Sequence, residues 1–179
     1  MPKQKRKILY VSGTRAEYGL MKETLFAIKD HPALEIEVAA TGMHLMGRFG
    51  KTIDEIKKDK FKVRLIKAVF ENDRYSAAKF TGLFITEFLK EIRNSTPDII
   101  FVQGDRPETL GGAIAAAYSG IPVAHTHGGD VTSTADEITR HAVTKLAHLH
   151  FPATKKSAER IIKMGEDPWR VKVAGAPGL

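Results

Sequence analysis

Short apolar runs rich in Ile and Val alternate along the chain with longer stretches whose apolar positions recur every three or four residues, the periods of buried strands and of one-sided helices. "KILYVSG" (7–13) reads as a buried strand halted by Gly13, and "AEYGLMKETLFAIKDH" (16–31) as a helix with Leu20, Leu25 and Ile28 at helical spacing. "LEIEVAATG" (34–42) predicts a second strand, and "GRFGKTIDEIKKDK" (47–60) holds a short helix. "FKVRLIKAV" (61–69) alternates like a strand with one wetter face. "SAAKFTGLFITEFLKEIRNS" (76–95) is the strongest helix, stopped by Asn-Ser-Thr-Pro.

The second half keeps the rhythm. "PDIIFVQGD" (97–105) is apolar on both faces, as a central strand of a doubly covered sheet must be. "PETLGGAIAAAYSG" (107–120) is a helix of small residues, suited to lying close on that sheet. There follow a strand "IPVAHTHGG" (121–129), a helix "ADEITRHAVTKLAH" (135–148), a strand "LHFPAT" (149–154), a helix "KKSAERIIKMG" (155–165) and a seventh strand "RVKVAGAPG" (170–178). About seven strands, each leading into a helix, predict an α/β, doubly wound, mostly parallel Rossmann-like sheet. With 179 residues, 42% of them hydrophobic, residues 1–179 are read as one domain around one core.

Composition narrows the classes. The 28 Lys and Arg against 21 Asp and Glu give a net charge of +7, which suits an anionic ligand. The basic residues are spread along the chain without a recognition motif, so a nucleic-acid partner is not expected. Cysteine is absent, which excludes disulfides, thiolate metal sites and a cysteine nucleophile and fits a reducing cytoplasm. The basic start leads only into "ILYV", too short for a signal core, and no apolar run reaches membrane length. A cytoplasmic protein without a membrane partner is expected.

The polar clusters are as regular as the apolar runs. "GTRAE" follows the first predicted strand, "TGMH" the second, "GDRPE" the fourth and "HTHGGD" the fifth, so all four gather at the carboxyl edge, where such sheets bind ligands. Gly13 permits a tight turn, the amides of 14–17 open a helix that favours an anion, and Arg15 adds a bidentate phosphate partner. The alternative is a plain turn with Arg15 paired to Glu17 or Asp105. The spacing matches neither the dinucleotide nor the phosphate-loop fingerprint. Asp105, ahead of Pro107 at a first helical position, either caps that helix or serves as a general base. Glu108 reads as an acid complementing the helix dipole.

The stretch "PVAHTHGGDVTSTADEITRH" (122–141) sets histidines, acids and an arginine around a Gly-Gly pair. His125 and His127, two apart on a strand, are expected on one face, and Gly128 and Gly129 to bring the backbone close to a ligand. Glu137 and His141 share a helical face, as do Asp136 and Arg140, whose plain reading is a surface ion pair worth about 0.3–0.5 kcal/mol. His125, His127 and Asp130 are also a candidate metal set for a hydrolase, without a compact motif to support it. His148 and His150 fall away from the ligand edge and read as packing residues, as does Met43, while His44 reads as a ligand contact.

"VSGTRAEYGLM" (11–21), "TGMHL" (41–45), "QGDRPETL" (103–110), "HTHGGDVT" (125–132), "DEITRHAVTKLAHLHFPAT" (136–154) and "VAGAPG" (173–178) together resemble the hydrolysing UDP-N-acetylglucosamine 2-epimerases, nearest the branch serving sialic and related nonulosonic acid synthesis. The resemblance implies the amino-terminal half of a GT-B architecture, with the family's second, UDP-binding domain absent, and weak or no turnover by this half alone. It implies elimination of UDP from a UDP-2-acetamido sugar followed by hydration, with no cofactor and no metal. Asp105 and Glu137 would be acid/base residues, joined by His127 where many relatives carry the glutamate of "HVEAG". Arg15 would hold the diphosphate, His44 would line the sugar pocket, and Arg140, His141 and Asp130 would support substrate binding. A homodimer is implied as well. A non-catalytic nucleotide-sugar or partner-binding module is the alternative.

Overall fold

In the computed structural model, which describes residues 4–50 and 52–178, six strands form one parallel sheet. They are β1 (Arg6–Ser12), β2 (Leu34–Ala40), β3 (Lys62–Leu65), β4 (Ile99–Gln103), β5 (Val123–Thr126) and β6 (Leu149–Phe151). Their order is β3-β2-β1-β4-β5-β6, so the winding reverses between β1 and β4. The helices are α1 (Arg15–Asp30), α2 (Ile53–Lys58), α3 (Ser76–Ser95), α4 (Pro107–Tyr118), α5 (Ala135–Leu146) and α6 (Lys155–Lys163). The short helix expected in 47–60 is α2, with Lys51 of that stretch outside the described residues.

Alternation along β1 divides the core. Leu9 and Val11 face one layer with Phe80, Phe84, Phe88 and Ile92 of α3, the alanines of α4 and Val143 of α5. The α3 residues repeat every four positions, so their side chains form one ridge, and the rings of Phe84 and Phe88 stack at 5.0 Å. The small residues of α4 lie close on the sheet, where a methyl on Gly112 would stand 3.3 Å from Val11, and also close on α3, where one on Gly111 would fall 2.8 Å from the Phe84 ring. Ile8 and Tyr10 face the other layer, with Tyr18, Met21 and Leu25 of α1 and Ile56 of α2. Here one expectation shifts, because Leu20 is 46% exposed and the buried stripe of α1 runs through Tyr18, Met21 and Leu25 instead.

The seventh strand does not form. Val171 makes one parallel bridge to His150, and the amides of Lys172 and Ala174 donate to His150 and Pro152 carbonyls at 2.9 and 3.1 Å. Beyond them Gly175 and Gly178, at φ 82° and 86°, flank Pro177 and turn the chain out of extended geometry. Among the described residues no helix is long and apolar enough to cross a membrane.

Candidate functional site

The reversal between β1 and β4 opens a cleft of about 330 Å³, lined by Thr14, Ala16, Glu17 and Leu20 on one side and Gln103, Gly104, Asp105 and Arg106 on the other. This is the topological switch point, where adjacent strands send their helices to opposite faces and leave a crevice. A larger cleft of about 540 Å³ lies on the sheet face under the chain's last turn, and its walls, including Ile8, Ile28, Phe101 and Phe151, are chiefly apolar. Glu17, Asp105 and Arg106 converge on the first.

At the end of β1, Thr14 caps α1 by accepting the Glu17 amide at 3.2 Å. Glu17 Oε2 reaches back to the Gly13 amide at 3.2 Å, and Oε1 lies 3.1 Å from the Tyr10 hydroxyl. Burial first, then Glu108, pushes the Glu17 carboxyl up to about 8. Arg15 pairs with neither Glu17 nor Asp105: its Nε meets Glu55 at 2.8 Å, and its side chain stays 71% exposed beside the helix N-terminus.

At the end of β4, Gly104 takes φ 70° and Pro107 opens α4 as predicted. Asp105 does not cap that helix, and it faces Arg140 of α5, whose Nη2 donates to Oδ2. The Arg140 side chain is only 8% exposed, and its Nη1 also donates to the Asp130 carbonyl at 2.9 Å. The surface pair expected between Asp136 and Arg140 is therefore replaced by a buried tie from α5 to β4. Glu108 is wholly buried rather than exposed at the helix start, and it accepts from Arg106 Nε.

The loop after β5 differs from expectation in three ways. The strand ends at Thr126, and His127 takes a left-handed φ of 60°, so the two histidines part. His125, fully buried, engages the Gly104 carbonyl through Nε2 at 2.8 Å, and burial holds its pKa down to about 4. His127 stays partly exposed, with Nδ1 3.6 Å from Asp130. The glycines approach α6 rather than a ligand space: a methyl on Gly129 would lie 2.2 Å from the Ser157 carbonyl oxygen. Asp130 accepts from Ser157 Oγ, which seals that packing. The candidate metal set thus has one member turned inward, and among the described residues no three His, Asp or Glu side chains gather as ligands.

On α5, Glu137 accepts the amides of Thr132 and Ser133 at 2.7 and 2.9 Å, and these bonds hold its carboxyl below the usual range. His141 lies 3.8 Å from it. His44 does not line the cleft. It is 1% exposed, with Nε2 3.0 Å from Ser12 and Nδ1 2.8 Å from Thr52, and burial, then Arg106, lowers its pKa to about 4. His150 is buried as expected, whereas His148 is exposed. Glu17, Gln103 and Arg106 line the cleft without being among the site residues expected from the sequence. The signal was present in "TRAE", a Thr-x-x-Glu capping box at a strand end, and in Arg106 directly after Asp105.

Fold and site together define a Rossmann-like α/β domain whose switch-point cleft is lined by two acids, Glu17 and Asp105, and one arginine, Arg106. The chain belongs to the UDP-N-acetylglucosamine 2-epimerase family, whose profile matches residues 26–179. It is 44% identical over 176 residues to a hydrolyzing UDP-N,N'-diacetylbacillosamine 2-epimerase of Legionella pneumophila, covering 97% of this chain and 47% of that protein. It is 34% identical over 176 residues to a UDP-N-acetylglucosamine 2-epimerase of Neisseria meningitidis, covering 97% and 46%. The S. aureus MnaA–UDP co-structure superposes with a TM-score of 0.81 at 27% identity, covering 96% of this chain and 45% of that one. The chain spans about half the length of the curated relatives it matches.

Proposed function

We propose that this chain forms one wall of the active cleft of a hydrolysing 2-epimerase acting on a UDP-2-acetamido sugar, as the amino-terminal half of a two-domain enzyme. A base takes the proton from C2 while the C1–oxygen bond to UDP breaks, giving a 2-acetamidoglucal and UDP. Water then adds, its hydroxyl to C1 and a proton to C2 on the opposite face, and the free manno-configured sugar leaves.

The observation that carries this reading is the Asp105–Arg140 contact. It holds a carboxylate at the end of β4 against a buried arginine on the helix that also bears Glu137 and His141. Proton abstraction beside an amide needs such a carboxylate, and departure of a diphosphate needs cations and free helix amides. Asp105 and Glu137 serve as the acid/base pair, with the His127 imidazole as a further proton-transfer or hydrogen-bonding group. Arg15, Arg106 and the first amides of α1 receive the diphosphate. Arg140 and His141 support the acids, and Asp130 holds the loop that carries His127. No role toward the sugar is kept for His44.

The two relatives' names carry different sugars, and the higher identity, 44% against 34%, favours a diacetylated 6-deoxy sugar over UDP-N-acetylglucosamine. The same reading makes the protein a cytoplasmic homodimer serving sialic or related nonulosonic acid synthesis, and light scattering checks the dimer. Proton NMR in deuterated buffer with each UDP-sugar tests the chemistry. Free UDP with a manno sugar deuterated at C2 is the expected result. Broadened but unconsumed substrate supports a non-catalytic binding module instead, and sharp, unchanged signals from both sugars overturn the proposal.

A further inference from the structure

Under the cleft, Tyr10, Glu17, Gln103, Arg106 and Glu108 meet around Gly13 with two carboxyl groups and one guanidinium. Glu108 Oε1 accepts from Arg106 Nε, and the buried Oε2 has no hydrogen-bond partner among the described residues. It is pressed so close to Gly13 that a methyl there would fall 1.7 Å from Oε1. Glu17, 7% exposed, is held by the Gly13 amide and the Tyr10 hydroxyl. That hydroxyl has a single proton but two acceptors, because Gln103 Oε1 lies 3.3 Å away. A proton on Glu17 satisfies both demands. Glu17 then donates to Tyr10, Tyr10 donates to Gln103, and one carboxylate remains to balance Arg106.

We propose that Glu17 and Glu108 hold one proton between them at neutral pH, pinning Arg106 through Glu108, and that an anion entering the cleft binds together with that proton. The second half rests on the reading of this cleft as a diphosphate site. Both acids are positioning residues, acting through Arg106. With the proton lost, a second carboxylate borders the anion and repels it, and a bound anion in turn retains the proton. The acidity of Glu17 agrees, since burial and Glu108 outweigh the opposing pull of Gly13, Tyr10 and Arg106. The other ionisable groups nearby leave this balance intact. Burial and Glu17 push Tyr10 well above its ordinary range, so it stays neutral, and His44, held down to about 4, is neutral too. Tyr18 is raised by burial and Asp59, while Arg15 pairs with Glu55 and Asp105 with Arg140.

Carboxyl-carbon NMR of the chain labelled at glutamate Cδ, titrated between about pH 5 and pH 10, tests the shared proton. One resonance with a midpoint near 8 is expected. It is lost in Glu17→Gln and moves down by about a unit or more in Glu108→Gln. Tyr10→Phe, which takes from Glu17 the hydroxyl it bonds, shifts the same resonance and identifies it if Glu17→Gln does not fold. Glutamates that all titrate below about pH 6 overturn the proposal. With saturating UDP the midpoint rises by about half a unit or more. A midpoint unmoved while UDP is bound overturns the coupling. If UDP does not bind, the diphosphate site fails and the coupling with it, while the ligand-free titration still decides the shared proton.

Discussion

Two strand-to-helix turns of this chain carry the same Thr-x-x-Glu signature, Thr14–Glu17 opening α1 and Thr134–Glu137 opening α5, and they present acids of opposite character. In both, the glutamate reaches back to amides ahead of the helix, Glu17 to Gly13 and Glu137 to Thr132 and Ser133. Glu17 is enclosed beside Glu108, which pushes its carboxyl up to about 8. Glu137 is only partly covered, and the two amides, with His141 and Arg140 near, hold its carboxyl down. The local motif sets the backbone, while burial and neighbouring charge set the chemistry. One turn therefore offers an ionised carboxylate at neutral pH and the other a protonated one.

Catalysis gives the largest expected effect. In an active preparation, Asp105→Asn or Glu137→Gln lowers turnover by roughly 10²–10⁴ with the fold retained, read as the rate of UDP release and by circular dichroism. Wild-type rates in both would remove the acid/base roles and leave the ionised turn without a catalytic use.

The glycines ahead of the two helices sharpen the contrast next. A methyl on Gly129 meets backbone, the Ser157 carbonyl, at a φ of 78°. The atoms nearest a methyl on Gly13 belong to the Glu108 side chain. Gly129→Ala is expected to cost about 3 kcal/mol, combining left-handed strain with overpacking. Gly13→Ala is expected to cost about 1–2 kcal/mol by displacing one carboxylate. Urea unfolding measures both, and equal costs would mean that the two turns are packed alike.

Much of this was legible in the chain before its structure. Six strand–helix alternations, Pro107 as a helix start and the gathering of four polar clusters on one edge all follow from local periodicity and a parallel sheet. What escaped depends on contacts remote in sequence or on single dihedral angles. Arg140 and Asp105 stand 35 positions apart, so their pairing left no pattern, and the nearer Asp136 drew the pairing instead. The left-handed φ of His127 broke an alternation that residue type alone would continue. Val171 and Val173 alternate like a strand, yet Gly175 and Pro177 stop them after one bridge. His44 looked available because it follows a strand, but Ser12 and Thr52 take both ring nitrogens.

Stability against pH separates the enclosed acid from the enclosed histidines. Burial holds His44 and His125 down to about 4 from 6.5, so the unfolded chain binds their protons more readily and stability falls as pH drops from 6.5 toward 4. Glu17 is raised from 4.5 to about 8, so the folded chain keeps its proton longer and stability falls as pH rises through that window. Only from about pH 7.5 upward, a unit above the unfolded value, is the histidine contribution flat, and just above 6.5 the histidines offset part of the Glu17 loss. Measured against Glu17→Gln, the wild-type chain is expected to lose up to about 2 kcal/mol more between pH 6.5 and 8 in urea unfolding. Parallel profiles in the wild-type and Glu17→Gln chains would show that Glu17 does not titrate in this window.

The smallest change in stability comes with Arg15, and it isolates what the α1 turn offers a ligand. Its contact with Glu55 is made on the surface, with the Arg15 side chain 71% exposed, so solvent screens most of the attraction. Arg15→Ala is therefore expected to shift unfolding by less than about 0.5 kcal/mol. The same guanidinium stands at the first turn of α1, where free amides already favour an anion. Losing it should weaken UDP binding about tenfold, because a charge-assisted bidentate contact contributes more to a bound phosphate than a screened surface pair does to the fold. Calorimetry with UDP on the wild-type and variant chains decides. Weaker binding at unchanged stability keeps Arg15 for the diphosphate, whereas unchanged binding confines the anion to Arg106 and the helix amides.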